Sequence, residues 1–265
     1  MSVTMKSSTT AVMLIILCLA LTAVASDLDI HQVSPRFPKI IGGTPTTIDR
    51  HPYQVSIHYK GEFICGGSII SNEWILTGAH CVYGTKLQFL RLRVGSTYYN
   101  QNGVLIPQIA SVIIHNKFDK NTLDYDVALI RLPKPLSLGA RIKIIILALS
   151  GSNVKAGSKA TVVGWGRTSP NGPPSKQLQS LVVPVVDQAT CQKIFAPKPV
   201  TANMICAGDL TRDRDTCEGD SGGALVHNSV QIGIVSWGDK CTSGYPGVYT
   251  RVSAIRQWIT EQANV

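Results

Sequence analysis

The stretch DVALIRL, residues 126–132, is an apolar run that opens on a carboxylate. It reads as a short buried strand, bounded by polar residues on one side and Pro133 on the other. An ionised Asp126 drawn in with that strand needs a partner, because an isolated buried carboxylate is costly. A protonated imidazole is one such partner, and the chain holds six histidines. Asp124, two positions earlier, competes for the same role.

Outward from that run, the chain reads as many short strands. Val55, Ile57 and Tyr59 alternate with polar neighbours in Gln54–Tyr59, and Leu90, Leu92 and Val94 alternate with Arg91 and Arg93. Further runs are SVIIH (111–115), ATVVGWG (160–166), SLVVPVV (180–186), GALVH (223–227), IGIVSWG (232–238) and GVYTRV (247–252), separated by Gly, Pro, Asn and Ser turns. Strands so spaced, without intervening helices, predict antiparallel sandwiches or barrels. The length suits one large β domain or two small ones. Only the end has helical periodicity, at Val252, Ile255, Trp258, Ile259 and Gln262. TSPNGPPSKQ (168–177) is the clearest loop.

The beginning reads as a targeting segment. AVMLIILCLALTA (11–23) follows Lys6 and is shorter than the roughly 20 residues that span a bilayer. Ala23-Val24-Ala25 then supplies a cleavage site, so residues 1–25 are expected to be a signal peptide and the product secreted, with no membrane anchor. Of the seven cysteines, Cys18 leaves with that segment. Cys65, Cys81, Cys191, Cys206, Cys217 and Cys241 remain, an even set that an oxidising compartment turns into disulfides rather than a zinc site. Sequence neighbours close the smallest loops, but spacing leaves the pairing open. A composition 44% hydrophobic and 15% charged excludes disorder. The net charge of +9 comes from scattered Lys and Arg without a basic run or aromatic platform, which describes a solvated surface and no nucleic-acid partner.

DTCEGDSGGA (215–224) sets Ser221 among acids and glycines. A serine hydroxyl becomes a nucleophile when a base takes its proton and a third group orients that base. His80 is the candidate base, in ILTGAHC (75–81) at the end of a buried strand and beside Cys81. LTGAHC, DVALIRL and GDSGG, in the order His, Asp, Ser, resemble the chymotrypsin-like serine proteases, and in particular trypsin-like members with three disulfides found in invertebrates. The likeness runs through Ile40–Val265.

That resemblance implies an all-β fold of two packed six-stranded antiparallel Greek-key β-barrels with a C-terminal α-helix. The protease domain would be 40–265, its barrels roughly 40–145 and 146–265. It implies His80, Asp126 and Ser221 as the catalytic triad, with the Gly219 and Ser221 N–H groups forming the oxyanion hole. Asp215 matches the floor of the specificity pocket, and an aspartate there implies cleavage after Lys or Arg. Thr216, Ser236, Trp237, Gly238 and Gly247 match further substrate-binding positions, and Ser236 also matches the residue that hydrogen-bonds the buried aspartate. Cys217–Cys241 would tie the pocket together. PKIIGG (38–43) resembles an activation site. Cleavage after Lys39 would release residues 26–39, and the new α-amino group of Ile40 would pair with Asp220. Expected partners are protein and peptide substrates with Lys or Arg at the cut, and proteinaceous inhibitors, for an enzyme acting as a monomer. Neither metal nor cofactor is expected.

The chain departs from the common trypsin pattern in four places: Gly78 for alanine, Ala224 for proline, Glu218 for glutamine, and Lys240 for glycine beside Asp239. By the resemblance, Glu218 and Lys240 would ring the pocket entrance and bear on subsite preference. Gly78 is expected to loosen the backbone near His80. No Asp or Glu occurs between Glu73 and Asp119, so the family's calcium loop lacks carboxylates. A non-catalytic member of the family and a protease of other specificity are the rival readings.

Overall fold

The computed structural model describes residues 43–166, 173–211, 221–238 and 245–265. The expected signal and activation segments lie outside them.

β1 (Thr44–Pro45) opens the described chain. The first sheet comprises β2 (Gln54–Tyr59), β3 (Glu62–Ile69), β4 (Trp74–Thr77), β5 (Leu90–Val94), β6 (Val104–Ile106), β7 (Ser111–Ile114) and β8 (Ala128–Arg131). Its spatial order is β6-β5-β2-β3-β4-β8-β7, a row that curls without closing. The second sheet holds β9 (Ile146–Leu147), β10 (Lys159–Gly164), β11 (Gln179–Val186), β12 (Met204–Ala207), β13 (Ala224–His227), β14 (Val230–Trp237) and β15 (Gly247–Arg251). Here β11-β10-β13-β14-β15-β12 closes on itself through the β11–β12 pair. β1 adds to β11, and β9 lies parallel to β14. The architecture is the mostly-β chymotrypsin fold, one closed barrel of six strands beside a curled half-barrel.

Local sequence explains the pairing. β2 and β3 are joined by Lys60 and Gly61 at φ 53° and 91°, a two-residue left-handed turn whose twist suits a hairpin. Asn228 and Ser229, at φ 48° and 63°, do the same between β13 and β14. In β5, Leu90, Leu92 and Val94 are fully buried while Arg91 and Arg93 face outward, as their alternation predicts. Each buried aliphatic side chain of this kind contributes about 1.5–3 kcal/mol.

β2 departs from its simple alternation. Its polar residues Gln54, Ser56 and His58 are buried as well as Val55 and Ile57. Phe63 and Tyr99 lie against His58, and Ser56 Oγ–H donates to the Tyr99 carbonyl at 3.2 Å. Ser56 and His58, hydrogen-bonded to each other at 3.0 Å, are therefore part of a small polar core rather than a wet face.

Among the described residues three α-helices accompany the strands: the single turn α1 (Ala79–Val82), α2 (Gln188–Phe195) and the C-terminal α3 (Val252–Ala263). α3 buries Val252, Ile255, Ile259 and Ala263, so Ala263 rather than Gln262 completes the inward stripe. α2 was not foreseen. Its N-cap is Asp187, whose carboxylate accepts from the Thr190 N–H at 3.0 Å.

Candidate active site

β4 ends at Thr77, and α1 carries His80 beside the Cys65–Cys81 disulfide. Asp126 lies just before β8, paired with β4, so the two residues arrive on adjacent strands. Asp126 is fully buried and its carboxylate is saturated with donors. Oδ2 accepts from His80 Nδ1–H at 2.6 Å and from Ser236 Oγ–H at 2.5 Å, and Oδ1 accepts from the His80 backbone N–H at 2.9 Å. Thr250 Oγ1–H donates to the Asp126 carbonyl at 2.7 Å, a contact from the second sheet that the sequence did not suggest.

This network sets protonation. Burial alone would raise the Asp126 pKa, but the His80 charge and the bonds from His80 and Ser236 hold it below the ordinary value. Burial likewise opposes a charged His80, yet the Asp126 carboxylate outweighs it and the imidazole pKa is raised. With Nδ1–H given to Asp126, a neutral ring keeps its Nε2 lone pair free to take a proton. Asp124 has a different task. Its carboxylate accepts from Thr201 Oγ1–H at 2.8 Å and Asn203 Nδ2–H at 3.0 Å, away from His80.

β3 brings the serine to the same place. Cys65 anchors the turn that bears His80, and the next residue, Gly66, donates its N–H to the Ser221 carbonyl at 2.8 Å. Gly222 packs so closely that a Cβ there would stand 3.1 Å from Cys81 Sγ. The backbone of Ser221 is thus pinned beside the histidine turn. His80 Nε2 lies 3.6 Å from Cys81 Sγ, and among the described residues no hydrogen bond joins it to Ser221 Oγ. Catalytic bonds of this kind often tighten only around a substrate.

Gly78 has extended backbone (φ −76°, ψ 145°), so its contribution is space rather than looseness. A Cβ there would lie 3.0 Å from both Nδ1 and Cε1 of His80. Cys65, His80 and Cys81 cluster within 4.8 Å. Both sulfurs are spent in one disulfide, so no thiolate is offered to a metal.

The trypsin family model matches residues 40–259. The chain belongs to the trypsin family of serine proteases. It is 37% identical to the vitellin-degrading protease of Bombyx mori over 225 residues, covering 84% of this chain and 85% of the relative. It is 36% identical to a trypsin of Phaedon cochleariae over 231 residues (86% and 89%), and 40% identical to trypsin iota of Drosophila melanogaster over 230 residues (85% and 89%). This trypsin-family member is accordingly a serine endopeptidase, and proteins are its substrates.

Of the other expected site residues, Trp237, Gly238 and Gly247 continue from Ser236 along the ends of β14 and β15. Cys191–Cys206 is the other disulfide among the described residues, tying α2 to β12. Lys39, Ile40, Asp215, Thr216, Cys217, Glu218, Gly219, Asp220, Asp239, Lys240 and Cys241 lie outside the described residues.

Proposed function

We propose that the chain is a secreted trypsin-like zymogen whose mature form hydrolyses peptide bonds after Lys or Arg. The observation that carries this reading is the fully buried Asp126 bonded to His80 Nδ1, with the Ser221 backbone anchored on β3 beside them. In the reaction, Ser221 Oγ attacks the scissile carbonyl carbon as its proton passes to His80 Nε2. The C–N bond breaks when His80 returns that proton to the leaving amine. Water, deprotonated by the same imidazole, then splits the acyl-enzyme ester and restores Ser221. Asp126 keeps the tautomer and balances the imidazolium.

Asp215 supports the basic specificity, since it matches the pocket-floor position of the family and a carboxylate there would favour a cationic side chain. Gly219 and Ser221 N–H groups are assigned to the oxyanion. Secretion rests on the signal-like residues 1–25 and on the disulfides. Activation is assigned to cleavage after Lys39, with Ile40 then pairing with Asp220. Because Lys39 is itself a basic site, the mature enzyme processes its own precursor. The 40–265 product is the protease domain.

Three measurements test this. After activation, a serine-directed phosphonylating reagent labels Ser221 stoichiometrically, and Arg and Lys chromogenic amides are cleaved while Phe and Leu amides are not. Labelling without basic preference would retain the triad and overturn the specificity. A Lys39→Gln precursor that still activates itself would overturn the activation site.

A further inference from the structure

Tyr125, immediately before Asp126, has φ 51°, and Leu123 has φ 57°. A bulky residue adopts left-handed backbone only where its surroundings over-determine it. Here the Tyr125 ring stacks on His115, centroids 4.5 Å apart and planes 17° apart. Trp258 of α3 meets the same His115 ring at 4.9 Å. His115 is 7% exposed, and its backbone N–H donates to the Val127 carbonyl at 3.1 Å, just beyond Asp126. The Val127 N–H in turn donates to the Tyr125 carbonyl at 2.8 Å, which places Asp126 at the apex of a tight turn. Lys117 N–H donates to His115 Nδ1 at 3.1 Å. Burial and then Lys117, against Asp124, keep this imidazole neutral. None of these three rings takes part in the chemistry described above.

We infer that His115, Tyr125 and Trp258 form an aromatic brace that holds the turn around Asp126 and so fixes its carboxylate against His80. They are positioning residues, and through Trp258 the C-terminal helix helps to hold that turn. The inference rests on the triad reading.

The test uses the activated full-length enzyme, with active sites counted by phosphonylation of Ser221. Variants are Tyr125→Leu and Trp258→Leu, which remove the stack, and Tyr125→Phe, which keeps it. A misaligned carboxylate is expected to lower kcat per titrated site about 10-fold in both leucine variants, with KM changed less than about twofold. Their acid limb of kcat moves to lower pH, because Asp126 then raises the His80 pKa less. Tyr125→Phe behaves as wild type. Leucine variants with wild-type kcat and acid limb, whatever their thermal stability, would overturn the brace, as would a Tyr125→Phe variant impaired equally. Failure of the wild type itself to label would instead overturn the triad.

Discussion

A Cβ on Gly222 would collide with Thr77 Oγ1. Thr77 cannot yield, because it is fully buried and its hydroxyl donates to the Gly66 carbonyl at 2.9 Å. That carbonyl would lie only 2.6 Å from the same Cβ. Gly222 also has φ 80°, a conformation that L side chains disfavour. The residue after Ser221 is therefore glycine by both space and backbone.

Gly222→Ala is expected to cost more than about 4 kcal/mol, seen as a fall in Tm of about 10 °C or more. Whatever folded protein remains is not phosphonylated at Ser221. A stable, labelled variant would contradict the packing described.

Gly78→Val tests the space beside the histidine. Valine suits extended backbone, so the variant acts by crowding His80 Nδ1 and Cε1, each 3.0 Å from the added Cβ. A displaced ring is expected to lower kcat at least about 10-fold while KM stays nearly constant. Steady-state kinetics on an Arg amide would show it, and an unchanged kcat would mean the ring has room.

On the proposed triad, the pH dependence of kcat/KM is expected to follow the His80–Asp126 pair. Because the His80 pKa is raised, the neutral base appears only above the ordinary imidazole value of 6.5. Half-maximal activity on the acid side is therefore expected above pH 6.5. The pair's contribution to stability follows the same directions. Its His80 part is complete below the unfolded value and is lost as pH rises through the raised one. Its Asp126 part is present above the unfolded value and is lost as pH falls through the lowered one. A half-rise well below pH 6.5 in the activity profile would refute the assignment of His80 as base.

Two other histidines add to the acid sensitivity of the fold. Burial, then Arg93, lowers the His58 pKa to about 4 against the pull of the Tyr99 backbone, and burial with Arg50 lowers that of His51 to about 4. Unfolded chains protonate these rings near 6.5, so their stabilisation is complete above that pH and is lost as pH falls towards about 4. For His58 the loss is at most about 3 kcal/mol. Tm is expected to fall between pH 7 and pH 4.5, and His58→Phe to flatten the fall. An identical slope in the variant would place the acid sensitivity elsewhere.

What could be read from the sequence follows the range of each interaction. β5 was legible because one face is wet, so period-2 alternation survives in its five residues. β2 was legible as a strand, but the burial of its polar side depends on Tyr99, more than forty residues away. α2 escaped because eight residues are fewer than the windows in which helical periodicity is visible. Its only local mark was Asp187 three positions before Thr190. Asp126 could be suspected because a buried charge demands a partner. The residues alone left Asp124 in competition and the resemblance favoured Asp126; in the fold Thr201 and Asn203 claim the earlier carboxylate. Thr250 and Gly66 carry no chemical signature, since a hydroxyl on a carbonyl and an amide on a carbonyl occur everywhere.

The two sheets end differently, and that difference sets how the molecule wears. A ring has no end from which to unravel, whereas the seven-stranded ribbon stops at β6 and β7. Among the described residues each of those strands has a strand neighbour on one side only, and β6 exposes Val104 and Leu105 besides. Deuterium will enter the ribbon's margins long before the ring, and any clumping of the warmed enzyme will begin along β6. His80 and Asp126 ride on the perishable half, so activity will fade while much of the chain remains folded.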